Sequence, residues 1–188
     1  MNRILVIASH PDDEILGCEG TIARFRMKGA DIGIVLMGEG RGSLLDNEFD
    51  SVSLLEHIKK IEKNIETFKP NIIFTHFRND LNIDHRITYQ AVITATRPMK
   101  DCPVNEIYSF EIPSSTEWNY PTSFSPNVFF DITDTIHLKL KAMEKYETEL
   151  REWPHPRSLT GIRALAEYRG MSVGMQCAEA FEAVRILK

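Results

Sequence analysis

The chain has 188 residues, 43% of them hydrophobic and 26% charged, with a net charge of −5. These values suit a soluble globular chain long enough for one domain with a substantial core, spanning residues 1–188. The acidic balance gives no electrostatic footprint for nucleic acid or an anionic membrane, and no apolar run approaches the roughly 18 residues of a bilayer span.

In chain order, Ile4–Ala8 is an apolar run that begins almost at the first residue and reads as a buried parallel strand, leaving no room for a signal peptide. Glu14 to Lys28 reads as a helix capped by Gly29, and Asp31 to Met37 as a second strand. Leu54, Leu55, Ile58, Ile61, Ile65 and Phe68 recur at three- and four-residue spacing, which predicts an amphipathic helix ended by Lys69-Pro70. A strand follows at Asn71 to Thr75 and a helix at Asp84 to Arg97. Glu106 to Ile112 and Asn127 to Asp131 read as strands, separated by a Pro/Ser/Thr loop. Thr135 to Glu149 and Leu159 to Arg169 read as helices, and Ala180 to Leu187 as a last strand. Repeated strand–loop–helix units predict an α/β fold: a Rossmann-like three-layer sandwich around a mostly parallel sheet. Cys18, Cys102 and Cys177 are odd in number and widely spaced, as expected of reduced thiols in a cytoplasmic protein.

The loop after the first strand is Ser9-His10-Pro11-Asp12-Asp13-Glu14. Loops at this edge of a parallel sheet carry ligand sites, and a dinucleotide-binding protein places glycines here. One histidine and three acids instead repel phosphate and attract a metal ion. Asn79-Asp80-Leu81-Asn82-Ile83-Asp84-His85-Arg86 follows the third strand in the same way, so both loops are expected on one edge. His10 and Asp13, three residues apart across a turn, can share one ion, and His85 would complete a two-histidine, one-carboxylate set. Three protein ligands leave one position open, the arrangement of catalytic zinc. Asp12 lies beside a ligand and points away from it, placed to take a proton from water there.

The first strand, His10 to Glu14 and the following Leu16-Gly17-Cys18-Glu19-Gly20-Thr21-Ile22 resemble the PIG-L/LmbE family of zinc-dependent de-N-acetylases. So do Asp84-His85-Arg86, Arg169-Gly170, Gly174 and Ala178 to Phe181. Within the family the likeness is to members linked to surface-sugar biosynthesis, through Ser109 to Trp118 and His155-Pro156-Arg157-Ser158. The resemblance implies one zinc ion per chain on His10, Asp13 and His85, Asp12 as general base, and an acetamido sugar as small-molecule substrate. That sugar is of N-acetylglucosamine type, free or joined to a nucleotide or lipid, and the reaction releases acetate and a free amine. Homo-oligomer formation is compatible with this reading.

Two departures from the family pattern stand out. Asn82 occupies the position of a histidine that stabilises the tetrahedral intermediate or protonates the amine; it can donate a hydrogen bond but shuttles no proton at neutral pH. The stretch from Gly38 to Asp50 is shorter than in relatives, so Arg41 is the stand-in for arginines that touch substrate. His155 is then a candidate acid, and Asp84, Arg157 and Arg169 are candidate substrate-binding residues, with ion pairing to an acid as the plainer role of the arginines. Trp118 and Trp153 are read either as stacking surfaces for a sugar ring or as loop aromatics over the core. His57 and His137 read as solvated surface, and His76 as either lining the site or packing beneath it. The alternatives to a deacetylase are a non-catalytic metal-containing sugar-binding protein and a metal-dependent phosphoesterase on a similar fold. The missing Gly-rich phosphate loop after the first strand speaks against the latter.

Overall fold

A computed structural model describes residues 1–38, 49, 52–121 and 123–188. Its elements in order are β1 (Arg3–Ala8), α1 (Asp13–Met27), β2 (Asp31–Leu36), α2 (Leu54–Phe68), β3 (Ile72–His76) and α3 (Ile83–Ala95). β4 (Glu106–Phe110), β5 (Val128–Asp131), α4 (Ile136–Met143), α5 (Leu159–Met171) and β6 (Ala178–Ile186) follow. One six-stranded sheet runs β2-β1-β3-β4-β6-β5. β2, β1, β3 and β4 pair in parallel, and β6 lies antiparallel between β4 and β5.

The alternation of β1 explains the three layers. Ile4 and Val6 face one way, into a cluster with Leu16, Cys18, Phe74, Phe110 and Phe181 that is covered by α1, α4 and α5. Leu5 and Ile7 face the other way, into a cluster with Ile58, Ile61, Ile65 and Val92 from α2 and α3. A strand that buries both faces shows no polar alternation, which is why β1 reads as an unbroken apolar run. The α/β architecture with a mostly parallel sheet is therefore as expected.

Three local expectations are revised. The helix expected to reach Glu149 stops at Met143. Turns follow it, with the Tyr146 N–H on Met143 O (3.0 Å) and the Glu149 N–H on Tyr146 O (2.9 Å). They set Tyr146 beside Glu14 and Glu149 beside Arg157. His57 is buried rather than solvated, because the Phe49 ring stacks on it at 4.9 Å. The last strand begins at Ala178, where pairing with Asp131 extends it two residues toward α5. Arg41 lies outside the described residues.

β1 and β3 are parallel neighbours, with Ile7 opposite Thr75, so the loops that leave them emerge side by side. This register brings the two acidic, histidine-containing loops together.

Candidate metal centre

His10, Asp13 and His85 each offer a ligand atom within 4.8 Å of the others. His10 Nδ1 and His85 Nε2 both lie 3.3 Å from Asp13 Oδ2. Asp13 opens α1 and His85 sits in the first turn of α3. Asp13 Oδ1 and His85 Nε2 are buried and have no hydrogen-bond partner among the described residues. Buried polar atoms are ordinarily paired, so two open donor atoms converging from imidazole and carboxylate fit a divalent cation.

Both histidines are oriented by further carboxylates. His10 Nε2 donates to Asp84 Oδ2 at 2.9 Å, and His85 Nδ1 donates to Asp80 Oδ1 at 2.9 Å. Such bonds fix the ring and leave the opposite nitrogen to the ion. Asp80 is itself held by the hydroxyls of Ser115 and Thr116 from the loop after β4. Burial would raise the Asp80 carboxyl, but these bonds and the His85 charge hold it at about 2. His76 lies beneath the centre, its ring stacked on His85 at 3.9 Å, and its Nε2 accepts the Ser9 N–H at 2.9 Å. Burial and the neighbouring His85 push His76 down to about 4, so it is a neutral support.

Charge at the centre is distributed unevenly. Burial opposes a proton on His10 and His85, yet Asp13 with Asp84, and Asp13 with Asp80, raise them to about 10 and about 9. Burial would raise Asp13, but the surrounding histidines hold it well below the carboxylate range.

Asp12 adopts φ 104° as the N-cap of α1, a left-handed conformation that costs a non-glycine residue of order 1–3 kcal/mol. It is 3% exposed, and its Oδ2 receives Arg157 Nη1 at 3.0 Å. The same Nη1 donates to Glu149 Oε2 at 3.1 Å, and Arg157 Nε donates to Ser114 Oγ at 2.8 Å. Burial and the adjacent Asp13 raise Asp12 to about 8, against the opposing pull of Arg157. A buried carboxylate with a raised affinity for protons, next to three converging ligand atoms, can act as a base.

The remaining expected site residues fall in different places. Asp84, expected to bind substrate, is instead fully buried beneath His10 and hydrogen-bonded to it. Arg169 is corrected as well. Its Nε and Nη2 form a fork with Glu111 at 2.7 and 2.6 Å, and with Lys139 and Glu179 it lines a separate cavity of about 20 Å³. Asn82 caps α3, its Oδ1 accepting the Asp84 N–H at 2.8 Å. With Oδ1 so committed, the opposite branch of the amide is its NH2 donor. His155 is only partly covered, and its Nδ1 accepts the Arg157 N–H at 3.1 Å. Burial and the charges of Arg151 and Arg157 lower it from its ordinary value, so less of it carries a proton to donate near neutrality. Trp118 stands edge-on to His155 with ring centroids 5.6 Å apart. Packing beneath the site is one of the two placements expected of His76, whereas the sequence assigns Asp80 no supporting role. The only local signal for Asp80 was its place five residues before His85.

The sequence matches the family model described as GlcNAc-PI de-N-acetylase, PIG-L, over residues 5–44. An Escherichia coli K12 protein described as uncharacterized deacetylase YaiS is 28% identical, with 77% of this chain and 90% of that protein aligned. N,N'-diacetylchitobiose deacetylase from Pyrococcus horikoshii has a similar fold, with TM-score 0.71, 20% identity, and coverage of 98% of this chain and 84% of that one. GalB, a 4-carboxy-2-hydroxymuconate hydratase from Pseudomonas putida KT2440, is equally similar in fold, with TM-score 0.73, 17% identity, and coverage of 100% and 99%. One fold thus carries deacetylases and a hydratase, and activity has to be argued from the site. In sequence across its first strand, loop and helix, and in fold over its length, the chain resembles the PIG-L-type, LmbE-like deacetylases.

Proposed function

We propose that the chain is a metal-dependent N-deacetylase that hydrolyses the acetamido group of a sugar derivative to acetate and a free amine. The observation that carries this reading is the convergence of His10, Asp13 and His85 beside the strained, buried Asp12, with Asp13 Oδ1 and His85 Nε2 unpartnered among the described residues. The PIG-L match covers this same loop, and YaiS is described as a deacetylase.

His10 Nδ1, His85 Nε2 and an oxygen of Asp13 would hold the ion, and the imidazole–carboxylate set suits zinc. When bound, zinc supplies Lewis acidity, polarising an amide carbonyl and making water acidic enough to deprotonate near neutral pH. Asp12 takes the proton of the attacking water, and Arg157, through Nη1 alone, holds its carboxylate in place. Asn82, its Oδ1 fixed on α3, aims its NH2 as a donor to the developing oxyanion, a contact worth roughly 3–4 kcal/mol. Asp12 then returns its proton to the departing nitrogen, because an amine does not leave unprotonated. His155, lowered and engaged at Nδ1, acts as a neutral hydrogen-bonding wall instead of an acid.

The test is amine release from a panel of N-acetylated sugars, free and nucleotide-linked, by the zinc-loaded chain and by chelated protein. Amine from at least one sugar, abolished by chelation and restored by zinc, is the expected result. No amine from any sugar at any metal loading overturns the reading.

A further inference from the structure

Of the three residues that offer ligand atoms, His10 is the most open: its side chain is 17% exposed, against 1% for Asp13 and 1% for His85. Asp13 and Asp84 hold the edges of its ring, and the His85 ring lies 5.5 Å away. A further contact comes from outside the two ligand loops. The buried Phe49 ring lies 6.0 Å from the His10 ring, tilted by 47°.

Phe49 is itself held from α2. The His57 ring stacks on it with centroids 4.9 Å apart and 26° between the planes. His57 Nε2 donates to Phe49 O at 3.4 Å, and the same oxygen accepts the Val52 N–H at 3.2 Å. Phe49 also belongs to the apolar cluster of Met37, Ile58 and Ile61 on the α2 side of the sheet. His57 is buried on α2, where an apolar side chain would fill the space without burying a polar ring. The histidine adds a donor that meets Phe49 O. Through two stacked rings α2 thus reaches a centre to which it contributes no ligand atom. An apolar ring beside a ligating imidazole limits its reorientation and keeps water from its flank, and both effects favour a bound ion.

We infer that Phe49 and His57 are positioning residues of the metal centre: Phe49 holds the His10 ring for the ion, and His57 acts on His10 only through Phe49. This inference rests on the metal centre of the deacetylase reading and adds to it a support from α2.

Zinc affinity is measured by competition with a chromophoric chelator, and cobalt(II) serves as a visible reporter of the site, in chains shown to be folded by circular dichroism. Phe49→Ala should weaken zinc about 10- to 100-fold, the range for residues that orient a ligand. It should also lower the visible absorption of the cobalt-loaded chain, as water joins the ion. His57→Ala should weaken zinc roughly three- to tenfold, the loss of one aromatic contact. The double variant should match Phe49→Ala alone, because His57 then has nothing to act through. Should Phe49→Ala not fold, Phe49→Leu keeps the apolar volume, loses both ring contacts, and should weaken zinc roughly three- to tenfold. Additive losses in the double variant, or unchanged zinc affinity in the folded Phe49 variant, overturn the inference while leaving the metal centre standing. An unaltered chain that binds neither zinc nor cobalt overturns both. Metal affinity that depends on Phe49, in a chain that releases no amine, supports the inference while overturning the deacetylase reading.

Discussion

Two regions of this molecule bury charged side chains and differ in how that charge is satisfied. At the carboxyl edge of β1 and β3, His10, Asp12, Asp13, Asp84 and His85 crowd together, and several buried atoms lack partners among the described residues. Against one turn of α1, Lys139 and Glu179 pair at 2.6 Å, and among the described residues both have all their buried side-chain atoms partnered. Lys139 Nζ also donates to Leu16 O at 2.8 Å, while the two Glu179 oxygens accept the Gly20 and Thr21 N–H groups at 3.0 and 2.7 Å. Thr135 completes the set by donating to Gly20 O at 2.7 Å. Buried charge alone therefore does not mark a site. The edge keeps unpartnered atoms that fit the ion proposed above, and the Lys139–Glu179 network is internally paired, tying α1 to α4 and β6.

The comparison breaks most sharply at the ion ligands. His10→Ala or His85→Ala should lose stoichiometric metal by elemental analysis while remaining folded by circular dichroism. In the intact protein, binding displaces protons from imidazoles raised to about 10 and about 9, so apparent affinity should strengthen as pH rises from 6 toward 9. Calorimetry in buffers of different ionisation enthalpy would count the protons released. A pH-independent affinity would mean that the ion sits elsewhere.

Asp12→Asn should retain metal and lose turnover by roughly 100- to 10,000-fold, the usual contribution of a general base. Asp13→Asn should instead weaken metal binding itself. Identical behaviour of the two variants in metal content and rate would remove the distinction between base and ligand.

The closed network should respond the other way. Lys139→Met leaves Glu179 buried and uncompensated, at a cost of about 3–5 kcal/mol in denaturant unfolding, with metal stoichiometry unchanged. Adding Glu179→Leu should recover much of that loss. Metal loss in the folded single variant would show that the two regions are coupled through α1.

Smaller effects sharpen the boundary. Asp84→Asn and Asp80→Asn should each weaken metal affinity about 10- to 100-fold, as expected for carboxylates that orient ligating histidines. Asn82→Ala should cost about 1 kcal/mol as a lost N-cap. It should also lower kcat more than it raises KM, since the amide donor matters mainly in the transition state. A change in stability alone would reduce Asn82 to a cap.

The same contrast explains what the sequence made legible. His10 and Asp13 are three residues apart on one loop, and the apolar strand before them announced its place in the sheet. His85 required only that two strand-end loops be neighbours, which a parallel sheet supplies. Partners distant in sequence left no such trace. Arg157 reaches Asp12 across 145 residues, and Ser115 reaches Asp80 across 35. Lys139 lies in a short helix where nothing local indicates burial. The antiparallel course of β6 was likewise hidden, because a run of apolar residues carries no direction. The residue type of Asp84 suits either a substrate contact or a support for a neighbouring histidine, and its burial beneath His10 is visible only in the fold.

On the deacetylase reading proposed above, the left-handed turn at Asp12 sets fold and chemistry against each other at one position. Glycine reaches φ 104° freely, so Asp12→Gly relieves the strain that the native residue bears at the start of α1. It also deletes the carboxylate. A library of variants screened for heat resistance alone should accordingly enrich a sturdier, silent protein at this codon, and aspartate should persist only where turnover is part of the selection.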